Sequence, residues 1–419
     1  MILSFQRLGL GKILFVVLAI GFLVTALWGI SQSKILLSKE QMREITGGSP
    51  NLNITLTSLG TNWLPTYNST VNITVNITGD RSYLPDCVAK FYLIPTAYEG
   101  YCMNAGNQTT DEPDLEFLPD DQQDDHSGKI TWDGKNQMIE ARFADSTVTT
   151  FVVKVKCHDY GAYSPLYARL YYGNSMLSET SITVPRDDNG NEIADGWMND
   201  GQINYTASDD NETGPSGNNH NGDGFSVYEE YRGFRVKGNH IRTDPSEKDL
   251  FVYSNCEEGY GYASNLPSPF KVRLINWGDM ENRVMNPKRS GGISGSDQLA
   301  LKVLRNDTAT CDEIRAMYDG ELYFGYAPNS PGTPNQVGDI TIYYKAIRYN
   351  TDPNNDENTT DSDDPKARKR IIGHEIGHGV NLEETFGNPA YDIMTCNYTK
   401  IMQMGTTYNS VHNSYYKLR

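Results

Sequence analysis

Near the C-terminus stand His374, Glu375, Ile376, Gly377 and His378, two imidazoles four residues apart with a carboxylate between them. On a helix, residues i and i+4 share one face a turn apart, so His374 and His378 can hold one Zn2+ while Glu375 lies beside that face. Zinc lowers the pKa of a bound water towards 7, and a neighbouring carboxylate can take the proton during attack on a peptide carbonyl and pass it to the leaving amine. Only seven histidines occur in the whole chain, and two of them are here. The chemistry expected is hydrolysis of peptide bonds in a protein or peptide substrate, with Glu375 as the catalytic base.

A second set of residues suits a harder metal. Asn219, Asn221 and Asp223 put oxygen side chains at positions 1, 3 and 5 of a loop, with Gly224 at 6 and Glu230 at 12. That is the spacing of an EF-hand calcium loop, in which the carbonyl at position 7, here Phe225, points inward. Upstream, Asp187, Asn189, Asn191 and Asp195 fill positions 1, 3, 5 and 9 of a weaker loop that has Met198 at position 12. This Asp/Asn-rich stretch, residues 185–235, resembles the calcium repeats of thrombospondin type 3 and dockerin modules. The resemblance implies Ca2+ that stiffens a junction between two domains rather than one that catalyses. With several neutral Asn ligands, the affinity expected is in the roughly millimolar range of extracellular modules.

The His-containing motif needs a helix, and the residues before it supply one. Asp364 is a good N-cap, Pro365 suits the first helical position, and Lys366 to Ile372 continue without a breaker, which predicts an active-site helix near residues 365–380. After the motif come Asn381, Glu383, Glu384 and then Asp392-Ile393-Met394. Together these resemble a metzincin, whose long His-Glu signature is followed by a Met-turn. The resemblance implies His374 and His378 as the first two zinc ligands, Glu375 as general base and Met394 beneath the metal. Asn381 stands where the family has a glycine, and Asn is the next most tolerant residue of a left-handed conformation. Glu384 stands at the third histidine and can still bind zinc through oxygen at about 2.0–2.2 Å. Glu383, Asp392 and His412 remain alternative third ligands. Cys396 stands where metzincins commonly place a tyrosine, with Tyr398 further on. Gluzincins take a third-ligand Glu from a helix well downstream, and no Glu follows Glu384 in this chain.

Residues 51–184 differ in texture. Val71–Val75, Phe151–Val155 and Tyr167–Tyr171 alternate polar and apolar residues between Gly, Pro, Asn and Asp clusters, which predicts an all-β, Ig-like sandwich. The acidic patch from Asp111 to Asp125 reads as a solvated loop. Leu250–Tyr253 and Ile340–Tyr344 add strands to the C-terminal part. The fold class expected is therefore multidomain: a membrane signal over 1–33, a β-sandwich over 49–184, a calcium-loop connector over 185–235 and a mixed α/β (α+β), metzincin-like peptidase domain over 236–419.

A chain of 419 residues, 38% hydrophobic and 21% charged, is long enough for two or three packed domains. Its net charge of −17 excludes a phosphate-tracking surface, and no nucleic-acid partner is expected. Arg7 and Lys12 precede an apolar run over residues 13–30, either a secretory signal or an uncleaved membrane anchor, so the protein is expected outside the cytoplasm. Sequons at Asn53, Asn68, Asn72, Asn76, Asn107, Asn204, Asn211, Asn306, Asn358 and Asn397 agree with export. The six cysteines, Cys87, Cys102, Cys157, Cys256, Cys311 and Cys396, lack metal-ligand spacing and read as structural. The competing expectation is a calcium-binding surface adhesion or scaffold protein with a degenerate peptidase domain. Nothing in the sequence sets the oligomeric state.

Overall fold

The computed structural model describes residues 50–57, 63–94, 102–104, 113–119, 123, 130–132, 137–198, 205–212, 222–256, 271–280, 300–328, 330, 338–351, 364–380 and 382. The chain divides into two compact units, Met1–Asn51 and Leu52–Arg419, and all the elements below belong to the second. The signal or anchor over residues 1–33 lies outside the described residues, among which no helix is long and apolar enough to cross a membrane.

Among the described residues, nine strands open the unit: β1 (Leu52–Leu56), β2 (Thr70–Gly79), β3 (Cys87–Leu93), β4 (Leu115–Phe117), β5 (Ile130–Trp132), β6 (Met138–Arg142), β7 (Thr150–Cys157), β8 (Ser164–Tyr172) and β9 (Ser175–Val184). They form two antiparallel sheets, ordered β1-β2-β7-β4 and β5-β6-β3-β8-β9. Successive side chains point to opposite faces of a strand, so the alternation read from the sequence becomes alternation of burial along β2, β7 and β8. Ile73, Val75, Val153 and Val155 of one sheet share a core with Ala89, Phe91, Leu166 and Leu170 of the other. Phe151 closes it, edge-on to Phe91 at 5.9 Å and to Phe143 at 5.7 Å. The part between residues 52 and 184 is thus a β-sandwich.

Residues 113–119 of the acidic patch depart from the solvated loop expected of them, while Asp111, Glu112, Asp120, Asp121, Asp124 and Asp125 lie outside the described residues. Leu115 and Phe117 alternate inward and carry the segment into the sheet as edge strand β4, which leaves Asp114 buried.

Helix α1 (Val227–Arg232) follows the Asp/Asn-rich stretch. Its start is fixed by a capping box, in which Ser226 Oγ accepts from the Glu229 amide at 3.3 Å and the Glu229 carboxylate accepts from the Ser226 amide at 2.7 Å. After it comes the hairpin β10 (Phe234–Val236) and β11 (Asn239–Ile241). Arg232 forms a buried ion pair with Asp159 at 2.8 Å, and Arg242 donates to the carbonyls of Pro65 and Tyr160, both at 2.7 Å. The helix and hairpin are thereby tied to the sandwich.

The C-terminal sheet contains β12 (Asp249–Ser254), β13 (Lys271–Ile275), β14 (Leu301–Asn306), β15 (Gly325–Tyr326) and β16 (Ile340–Tyr343) in the order β13-β12-β14-β16-β15. The first four in that order run parallel, and only the edge strand β15 is antiparallel. Helices α2 (Cys311–Met317), α3 (Tyr344–Thr351) and α4 (Asp364–His378) complete a mixed α/β region. Ala367, Ile371, Ile372 and Ile376 of α4 pack into one core with Val252, Val303, Ile340 and Ile342 of the sheet. Cys87, Cys102, Cys157, Cys256 and Cys311 are all buried, and burial pushes the Cys157 thiol up to about 12.

Candidate metal centres

Helix α4 carries the His-containing motif. His374 and Glu375 are buried and His378 is partly exposed, with the two imidazoles on one face, 4.7 Å apart between centroids and nearly perpendicular at 86°. The helix then stops in a tight turn, in which the Leu382 amide bonds back to the Gly377 carbonyl at 2.9 Å. That turn aims the Leu382 carbonyl at His378, whose Nδ1 lies 2.8 Å from it. A carbonyl only accepts, so Nδ1 carries the hydrogen and Nε2 of the neutral ring keeps its lone pair. A ring fixed in this way is the usual state of a metal-ligating histidine.

Glu375 points at the sheet edge. A Cβ placed on Gly325, the first residue of β15, would lie 2.5 Å from Glu375 Oε1, so only glycine lets the strand pass this close. Tyr318, Tyr323, Tyr326 and Tyr343 cluster beside it, and Tyr318 bonds to the Tyr343 hydroxyl at 2.8 Å. The Tyr318 phenol is pushed up by burial, then by that bond, with the Glu375 charge a smaller contributor. Gly325, Tyr318 and the Leu382 carbonyl escaped the sequence reading because each acts through packing and lies outside the motif. The third-ligand candidates Glu383, Glu384, Asp392 and His412, together with Met394, Asn381, Cys396 and Tyr398, lie outside the described residues. Among the described residues, no third His, Cys, Asp or Glu gathers with His374 and His378.

The two Asp/Asn-rich loops share a backbone form. In the first, positions 4 and 6 are Gly190 and Glu192 with φ of 75° and 65°; in the second they are Gly222 and Gly224 with φ of 79° and 104°. The side-chain oxygen at position 5 accepts the amide of position 7 in both, Asn191 from Ile193 at 3.0 Å and Asp223 from Phe225 at 2.9 Å. In the first loop Asp187 also accepts the amides of Gly190, Asn191 and Glu192, and Asp195 accepts that of Asp188. The first loop therefore closes on its own amides.

The predicted register of the second loop lies only partly within the described residues. Asn219 and Asn221 lie outside the described residues, and it is Asp210 that accepts the amides at positions 5 and 6, from Asp223 at 3.0 Å and Gly224 at 3.2 Å. Asp210 thus does for the second loop what Asp187 does for the first. Around it the ligand atoms of Asp210, Glu212 and Asp223 lie within 4.8 Å of one another, and so do those of Asp223, Glu230 and Asp249. Glu212, Asp223, Glu230 and Asp249 are at most 3% exposed. Phe225 turns its ring into an apolar cluster with Phe234 and Phe251. Asp210 and Glu212, two residues apart in an oxygen-rich run, were a readable signal, whereas Asp249 starts a strand and carried none.

No family model matches the sequence, and no curated protein matches it. Among solved structures the chain is similar to a conjugative transposon lipoprotein from Bacteroides eggerthii DSM 20697, at 10% identity over 32% of this chain and 97% of that one, with a TM-score of 0.20. The reeler domain of human F-spondin matches at 10% identity over 32% and 90%, with a TM-score of 0.19. BslA, a bacterial hydrophobin, matches at 18% identity over 33% and 99%, with a TM-score of 0.17. Likeness at this level carries no argument about function.

Proposed function

We propose that the chain is an exported zinc-dependent endopeptidase of metzincin-like build, with His374 and His378 as metal ligands, Glu375 as general base, and a third ligand, Glu384, from the segment beyond the helix. The observation that carries the reading is the hydrogen bond from His378 Nδ1 to Leu382, which leaves Nε2 as the coordinating nitrogen on the face that His374 shares. When bound, zinc supplies Lewis-acid activation of a water and of the substrate carbonyl. Glu375, held against Gly325, takes the proton of the attacking water and delivers it to the leaving amine.

The edge strand favours a peptide over other hydrolysable substrates. β15 lies beside Glu375, and among the described residues no strand pairs with its outer side. An extended peptide can add to such an edge through main-chain hydrogen bonds, which brings a scissile bond to the base. Tyr326, 39% exposed on the same strand, offers an apolar wall for a substrate side chain.

The test is metal analysis of the purified full chain with a quenched-fluorescence peptide library. About one zinc per chain is expected, with cleavage stopped by 1,10-phenanthroline and restored by zinc. Calcium as the only bound metal, with no cleavage, would instead support the adhesion or scaffold reading.

A further inference from the structure

We infer that Asp210, Glu212, Asp223, Glu230 and Asp249 form one calcium centre that joins the connector to the first strand of the C-terminal sheet. Its ligands come from four stretches of chain, and Asp249 is the opening residue of β12, so the ion would be held by that sheet as well as by the loop. Acidic side chains often cluster without an ion, but here four buried oxygens have no hydrogen-bond partner: both of Glu212, Oε2 of Glu230 and Oδ2 of Asp249. A buried carboxylate oxygen left unpaired keeps the full penalty of its lost hydration. Four such atoms, in two triads that share Asp223, point to an absent positive partner.

Charge and distance point the same way. Five carboxylates face two protein cations, Lys248, buried beside Glu212, Asp223 and Asp210, and Arg273, which donates to Asp249 Oδ1 at 2.5 Å. Three negative charges remain, and a divalent ion removes two of them. In each triad the ligand atoms lie within 4.8 Å of one another, no farther apart than two oxygens at about 2.4 Å on opposite sides of a calcium ion. Magnesium keeps several waters and insists on an octahedron, which a crowded buried site does not offer.

This ligand set also changes the strength expected from the loop alone. Five acidic ligands in place of neutral Asn side chains move the Kd from the millimolar range to about 10⁻⁷–10⁻⁵ M. The readouts are binding and stability rather than cleavage, so the proposal stands or falls separately from the peptidase.

The experiment uses the full chain stripped with EGTA, titrated with calcium chloride by calorimetry, and melted with and without calcium. Micromolar binding and a calcium-dependent rise in Tm are expected, with magnesium chloride giving little of either. Glu230→Gln and Asp249→Asn should weaken calcium binding at least tenfold, and Glu230→Gln should melt at or above the wild type in EGTA, because it removes a buried repelling charge. Millimolar or undetectable calcium binding by the wild-type chain, or variants that melt lower in EGTA while keeping the full calcium response, would overturn the assignment.

Discussion

Helix α4 and the carboxylate cluster around Asp223 are both suited to metal, and they are assembled in opposite ways. On α4 the two histidines and the glutamate lie within five consecutive residues, and the helical period alone brings the rings together at 4.7 Å. The cluster draws Asp210 and Glu212, Asp223, Glu230 and Asp249 from separate stretches, and the loop is tied to β12 by the Asp249 amide, which donates to Asp223 Oδ2 at 2.6 Å. On the helix the His378 ring is partnered by the Leu382 carbonyl, whereas the cluster leaves four buried oxygens without a hydrogen bond. A local motif can be held ready by its own element, while a distributed site of like charges needs its ion to be stable.

That contrast can be broken from either side. Apart from the catalytic base itself, the largest effect is expected at the edge of the peptidase site. Gly325→Ala puts a methyl 2.5 Å from Glu375 Oε1 and should cut kcat by about 10²-fold at unchanged zinc content, since a displacement of about 1 Å suffices for such losses. Equal kcat in the variant would show that Glu375 is not held by β15. Next in size is the calcium response of Glu230→Gln, with its opposite signs in EGTA and in calcium.

A smaller effect is expected in the first loop. Asp187 is partnered by three loop amides, so Asp187→Asn should cost about 0.5–1.5 kcal/mol by denaturant melts and leave the micromolar calcium titration as it was. Loss of that titration would move the centre to the wrong loop. The smallest effect is expected at Asp114, where burial, and then the Asp159 charge, push the carboxyl from 3.8 to about 8 against the opposing pull of Arg232. Below about pH 4 the group is neutral in both folded and unfolded chains; between about pH 4 and 8 only the unfolded chain ionises, so stability falls as pH rises. Asp114→Asn should therefore raise Tm at pH 8 and change it little at pH 4, a difference that thermal melts across that window would check.

The same contrast explains what could be read in the chain. Alternation along residues 71–75, 151–155 and 167–171 located strands of the sandwich because one face of each is core and the other solvent. Asp364 and Pro365 located the start of α4, which ends at His378 rather than near residue 380 because the Leu382 turn intervenes. The inward turn of Leu115 and Phe117 was hidden under the charge of their neighbours. For the second loop, Asp223 and Glu230 were readable as positions 5 and 12, but Asp210 enters from thirteen residues upstream of Asp223 and Asp249 from a strand, and no periodicity links them.

The most direct test of the account is Glu375→Gln compared with the wild type, with zinc content and peptide cleavage measured on the same preparations. The account predicts equal zinc in both and a loss of kcat of about 10²–10⁴-fold or more in the variant. Undiminished cleavage by Glu375→Gln, or a wild-type chain that binds no zinc, would contradict it.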